Sequence, residues 1–376
     1  MKKNVLFVVL MLALVLVGCA EHEHVWNEGE ISKDASCTEV GEMTYTCETC
    51  KATRTEVIPA MGHSYEFEVT TPATCIEDGV ETEICSRCSA KGETRSIVAA
   101  HKYDSNGECT VCHAKKDDVD KAEARIETTY FETLTKAIES LKAKEDKTAK
   151  ITILTERVVL GDFSTLTGSK DNSAWSITFE GNGRGKTIVD ISTGNAGEGT
   201  HQNYVEGAKL SFKDVTVHIG DSSNYQGLVR AGELAFDSCA IEGMGTYWGV
   251  GDVVFTNCEF NDNKDYSLWL YSGKNFVFEN CSFTSSVGKF LHPYSESSIS
   301  LNVVIKNCSF ENTSETEESG KPIVNIKTQA VCNVSFEGDI KLVNIATGKQ
   351  GSKYFQVESD NGSVVLMDGK QVYPSN

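Results

Sequence analysis

The chain is short of positive charge. Its 35 lysines and arginines face 54 aspartates and glutamates, a net charge of −19 over 376 residues. So acidic a surface repels phosphate backbones, which argues against nucleic acid and, by default, against polyanionic sugars. Long apolar runs are scarce as well. The one long run, Val5–Val17, has 13 residues, follows Lys2 and Lys3, and is too short to span a bilayer. It reads as the hydrophobic region of an export signal, so residues 1–18 are expected to be removed. Loss of Lys2 and Lys3 then takes the net charge from −19 to −21. Phosphate-binding vocabulary is weak too: GNGRG at 181–185 runs into Lys186-Thr187, but no helical pattern opens after it, so it is not read as a phosphate loop.

What the chain does have is repetition. FKDVTV (212–217), FDSCAI (236–241), FTNCEF (255–260), FENCSF (278–283), IKNCSF (305–310) and VCNVSF (331–336) begin 24, 19, 23, 27 and 26 positions apart. Repeats of this length mark a solenoid, in which no rung buries its apolar face until a neighbour stacks on it. Apolar residues fill positions 1, 4 and 6, which a straight strand cannot place on one side. A corner at position 3 resolves this. Asp214, Ser238, Asn257, Asn280, Asn307 and Asn333 stand there, residue types that tolerate left-handed backbone. Cys239, Cys258, Cys281 and Cys308 share position 4 with Val215 and Val334, so that slot asks for a small apolar group and the thiols are structural. Cys332 lies off this register.

These stacked phrases resemble right-handed parallel β-helices of the pectate-lyase-like superfamily over roughly residues 150–376. The resemblance implies an all-β right-handed parallel solenoid. Upstream, Leu134, Ala137, Ile138 and Leu141 fall at helical spacing, predicting an amphipathic helix over 131–144 before the strand ITIL at 151–154. This entry is similar to the N-terminal cap of bacterial surface β-helices, and residues 130–376 are expected to be the capped solenoid. Leu16-Val17-Gly18-Cys19 resembles a bacterial lipobox, which implies a diacylated Cys19 at the mature N-terminus. The expected location is the outer face of a bacterial cell membrane, held by that anchor.

Residues 19–114 carry a second repeat. Cys37, Cys47 and Cys50 recur 38 positions later as Cys75, Cys85 and Cys88, and a shortened third unit holds Cys109, Cys112 and His113. Twelve residues separate Cys50 from His63 and Cys88 from His101. The words resemble Cys/His repeats of Firmicutes surface proteins. Three Cys and one His per unit is the donor set of a structural tetrahedral zinc site. Either His63 and His101 close the unit before them, or His24, His63 and His101 open the unit after them, leaving His101, Cys109, Cys112 and His113 as the third set. Disulfides compete in an exported chain, but three Cys per unit do not pair cleanly. A module this small needs some such staple. KKDDVDKAEARIE, within 115–129, reads as a charged linker.

Short segments after the phrases, such as SLWLYS (267–272) and KFLHPY (289–294), are expected to stack into one more stripe. Trp269 would then turn outward, and Arg230, Trp248, Tyr271, His292, Tyr294 and Asn325 would share its face or the rim of it, an arrangement suited to stacking on a sugar ring. The resemblance also admits catalysis: pectate-lyase-like solenoids cleave polysaccharides with calcium-binding carboxylates and an Arg base, or with paired Asp residues. Arg230, Asp262, Asp265 and His292 are the candidates for that chemistry. The NTDG and GHG words and a compact calcium-binding acidic run are absent. The expected function is therefore non-catalytic recognition or adhesion, toward a glycan or a surface protein, with a polysaccharide lyase or glycoside hydrolase as the alternative.

Overall fold

The computed structural model describes residues 23–161, 173–191, 204–219, 230–243, 245–247, 251–261, 265–271, 274–295, 300–314, 320–359 and 362–374. Residues 1–18, expected to be an export signal, and Cys19 lie outside these. No described helix is long and apolar enough to cross a membrane. The chain divides into two compact units, residues 1–102 and 103–376.

The second unit is a parallel solenoid of three sheets. Its main sheet stacks Thr148–Ile153, Ser176–Glu180, Tyr204–Lys213, Arg230–Asp237, Asp252–Thr256, Asn275–Glu279, Leu301–Lys306, Cys332–Glu337 and Val364–Met367 in chain order. A second sheet runs from Arg157–Val159 to Lys341–Val343, and a third from Gly245–Tyr247 to Phe355–Val357. The phrases span the corner between the first two sheets. Asp214, Ser238, Asn257, Asn280 and Asn307 sit there at φ 53°, 56°, 54°, 54° and 52°, so the predicted left-handed corners are present at five phrases. Phe179, Phe212, Phe236, Phe255 and Phe278 stack ring on ring down the interior at 5.1, 5.3, 4.8 and 5.1 Å. After the corner Phe260, Phe283 and Phe310 form a second column at 4.3 and 4.5 Å.

The cysteines at position 4 are buried thiols. Sγ of Cys239, Cys258, Cys281 and Cys308 donates to the carbonyls of Phe212, Phe236, Phe255 and Phe278 at 3.3, 3.5, 3.5 and 3.4 Å. The thiol therefore fills a valine-sized slot and also gives the preceding rung a weak donor.

The sixth phrase is out of phase with the expectation. Ile305 pairs with Phe336 and Leu301 with Cys332, so VCNVSF is the strand before the corner and Gly338, at φ 67°, lies two residues past Phe336 in the corner. Asn333 instead extends an outer ladder, in which Asn275 donates to Asp252, Asn302 to Asn275 and Asn333 to Asn302 at 2.8, 2.9 and 3.0 Å. Cys332 is thereby explained as an interior residue of the main sheet, with burial pushing its thiol up to about 12.

The stretch read as a linker is folded. Lys116–Lys121 is a short helix, and Ala124–Ile126 pairs antiparallel with Thr148–Ile153 while burying Ala124 and Ile126. The predicted helix is shorter than expected, Leu134–Ser140 followed by a tight turn Leu141–Ala143, because Thr133 Oγ1 caps Lys136 N at 3.1 Å and Thr129–Phe131 is already strand. Its apolar side chains Leu134, Ala137, Ile138 and Leu141 join the solenoid core. At the far end Lys370–Tyr373 turns back antiparallel on Val364–Met367.

The first unit is two antiparallel three-stranded meanders. One comprises Glu30–Lys33, Gly41–Thr46 and Thr53–Ile58; the other comprises Tyr65–Thr71, Gly79–Cys85 and Lys91–Ile97. Of the described side chains in this unit, Cys37, Cys47, Cys85 and Thr82 are the buried ones. Its strands have almost no apolar interior to hold them.

Candidate metal centres and the solenoid face

Each Cys-x-x-Cys forms the same tight turn. Lys51 N, Ser89 N and His113 N return to the carbonyls of Cys47, Cys85 and Cys109 at 3.0, 2.8 and 2.9 Å. Lys51, Ser89 and His113 take left-handed backbone, at φ 63°, 58° and 62°. These turns aim paired sulfurs at one point, as a metal knuckle requires.

Two donor groups follow in the first unit. His24, Cys47 and Cys50 bring their ligand atoms together, and so do Cys37, His63, Cys85 and Cys88, with all such atoms within 4.8 Å of one another. Cys37 Sγ lies 3.8 Å from Cys85 Sγ, Cys88 Sγ lies 3.3 Å from His63 Nδ1, and Cys50 Sγ lies 3.4 Å from His24 Nδ1. A disulfide needs about 2.05 Å, so these sulfurs are not bonded. Zinc–sulfur bonds of about 2.3 Å and zinc–nitrogen bonds of about 2.1 Å at tetrahedral angles put donors about 3.8 and about 3.6 Å apart. The spacing is that of a coordination shell. Every described cysteine is a thiol.

The electrostatics of the four-donor group suit a cation. Burial acts to raise the Cys85 thiol. The backbone N–H groups of Arg87, Ser64 and Cys88 and the His63 side chain outweigh it and hold the pKa at about 5. Cys37 is pushed up to about 11, first by desolvation and then by Cys88 and Cys85. The crowding that raises the Cys37 thiol beside two other sulfurs is relieved by a cation at their centre.

The grouping differs from the unit-by-unit set. Cys37 does not join Cys47 and Cys50, since it lies in the turn before Gly41–Thr46 and they lie after it. Six strand residues span about 20 Å. Within the first unit His24 and His63 sit with the knuckle that follows them. His113 stands apart as a turn residue whose Nδ1 meets Glu108 Oε1 at 2.8 Å. Cys75 and His101 are half-buried, Cys75 in the turn before Gly79–Cys85 and His101 beyond Lys91–Ile97. Cys109 is buried and Cys112 half-buried in the third knuckle.

On the solenoid, Leu268 and Leu270 point inward and leave Trp269 half-buried on the outer side of the third sheet, paired with His292. Tyr266, Trp269, Tyr271, His292 and Tyr294 form one aromatic cluster, with Trp269 edge-on to His292 at 4.5 Å and Tyr266 stacked on His292 at 4.3 Å. His292 is not exposed. It is 4% accessible, Nδ1 donates to Asn325 O at 2.6 Å, and burial lowers its pKa. Beneath the cluster Asn325 donates to Tyr266 Oη at 2.6 Å and Gln356 donates to Asn325 Oδ1 at 3.2 Å, so Asn325 is interior rather than rim. Asp265 is bound to Lys289 at 2.7 Å. Trp248, Asp262 and the Arg230 side chain lie outside the described residues.

Beside this cluster opens a cleft of about 250 Å³ lined by Tyr294, Lys327, Thr328, Gln329, Lys349, Glu358 and Ser359. Lys327 lies 5.7 Å over the Tyr294 ring. Of these side chains only Tyr294 was a sequence candidate. Lys327 ends the segment PIVNIK, and its pairing with Tyr294 follows from strand register. Lys349, Glu358 and Ser359 come from connections with no periodic signal.

The family described as right handed beta helix region matches residues 168–344. No curated protein and no solved structure matches the chain.

Proposed function

We propose that this is a membrane-tethered bacterial surface protein that recognises a glycan through the third-sheet face of its solenoid, carried on an arm stapled by structural zinc. The observation that carries the recognition reading is the juxtaposition of the aromatic cluster with the Tyr294 cleft. A sugar ring packs against an aromatic side chain while lysine, glutamate and hydroxyl groups bind its hydroxyls, and the cleft supplies both kinds of contact through the half-buried Tyr294 and through Lys327, Lys349, Glu358 and Ser359. About 250 Å³ admits a ring or a chain end rather than a long polymer. Binding fits better than cleavage because the described acid–base candidates are engaged structurally, His292 with a carbonyl and Asp265 with Lys289. Anchoring rests on the lipobox-like sequence ending at Cys19, and zinc rests on donor identity and spacing.

The test is glycan-array binding by the full chain, alongside incubation with acidic and neutral polysaccharides with and without calcium. Binding that Tyr294→Ala and Lys327→Ala each weaken at least tenfold supports the reading. Release of reducing or unsaturated ends would replace it with the lyase or hydrolase alternative.

A further inference from the structure

In each meander the first cysteine and the knuckle occupy opposite ends of the middle strand. Cys37 precedes Gly41–Thr46 and Cys47 follows it; Cys75 precedes Gly79–Cys85, which ends on Cys85 itself. No single ion reaches both ends of such a strand, because six residues extend about 20 Å. Yet Cys37 Sγ lies 3.8 Å from Cys85 Sγ of the next repeat, with His63 from the connection between the repeats and Cys88 completing the group. We infer that the metal ion is a joint between consecutive repeats, taking one thiolate from the first repeat, His63 from the connector, and two thiolates from the second. The inference rests on the zinc reading above.

The surroundings agree. The buried sulfurs Cys37 and Cys85 meet at this junction, whereas the strands on either side present mostly exposed side chains. The connector is fixed from both directions. Met61 N donates to Ser36 O of the first repeat at 2.9 Å, and Arg87 Nη1 of the second donates to Met61 O and Gly62 O at 2.8 and 3.1 Å. Ser64 N donates to Cys85 Sγ at 3.4 Å, the contact that orients a knuckle sulfur. The same design explains why three cysteines suffice per repeat: one donor is exported to the next repeat and the fourth is supplied by the connector. His24, Cys47 and Cys50 are the corresponding connector histidine and knuckle of the first repeat.

Loading the full chain with cadmium-113 and recording its NMR spectrum tests this, because the cadmium shift reports how many sulfurs bind each ion. Cys47→His and Cys85→His, which keep a donor at each position, mark the resonances of the two knuckles. Cys37→His is expected to move the resonance that Cys85→His moves and to leave the Cys47 resonance in place. Movement of the Cys47 resonance instead would overturn the joint while leaving the zinc reading intact. If Cys37→His disturbs the fold, His63→Cys provides the converse, a shift of the Cys85 resonance toward four sulfurs. A chain that takes up no cadmium, and retains no zinc on purification, sinks the metal reading itself.

Discussion

Asn280 and His292 show what single side chains contribute. Asn280 holds φ 54° at a corner, a conformation that costs most L-residues about 1–2 kcal/mol and that Asn tolerates by bonding locally. That requirement was readable from sequence, because a straight strand cannot put apolar positions 1, 4 and 6 on one side and a corner-tolerant residue stands at position 3. The burial of His292 was not readable. Its segment alternates as a strand should, but Tyr266, which covers the ring, arrives from 26 residues earlier. Burial depresses the folded-state pKa of His292 below the ordinary 6.5. Above that pH both folded and unfolded chains carry it neutral. As pH falls through 6.5 the unfolded state takes up a proton that the folded state resists, so stability declines, with a limiting slope of about 1.4 kcal/mol per pH unit for one proton. His292→Phe is expected to flatten the denaturation midpoint against pH below 6.5 relative to the parent protein. An unchanged slope would show that His292 protonates freely in the native state.

At the scale of elements, the solenoid is a stack of parallel strands whose first and last members would offer open edges. Both are closed by antiparallel pairing, Ala124–Ile126 on Thr148–Ile153 at one end and Lys370–Tyr373 on Val364–Met367 at the other. An uncovered edge templates pairing with another chain. Deleting residues 368–376 is therefore expected to leave the circular dichroism of the remaining strands near native while producing concentration-dependent association in analytical ultracentrifugation. A monomeric truncation across the accessible concentration range would mean that Val364–Met367 is protected by other means. Sequence reading found the strands but not both closures, since 115–129 reads as charge and hides the apolar pair Ala124 and Ile126. It also mis-phased the sixth rung. VCNVSF carries apolar residues at the phrase positions, and only pairing of Phe336 with Ile305 shows that the corner follows it.

At the scale of the molecule, two different physical principles hold the two units together. The solenoid buries columns of Phe, Leu, Ile, Val and Cys, so its free energy comes from apolar burial and needs no ion. Among its described residues the first unit buries almost nothing but sulfur, and its strands are short antiparallel meanders with exposed faces. Small modules without a core depend on their staples, and a structural zinc bound only by the folded state contributes its binding free energy to folding. The repeat of Cys and His was plain in sequence, yet the donor sets were not, because spacing along the chain does not reveal that a six-residue strand separates Cys37 from Cys47. The difference between the units predicts a selective response to chelation. Excess EDTA or 1,10-phenanthroline is expected to make residues 23–102 sensitive to limited proteolysis within minutes while a solenoid fragment beginning near Tyr103 survives. Readdition of zinc should restore protection, and magnesium should not, since thiolates and imidazole favour the softer ion. Equal resistance of both units with and without chelator would mean that the meanders are held by something other than a metal.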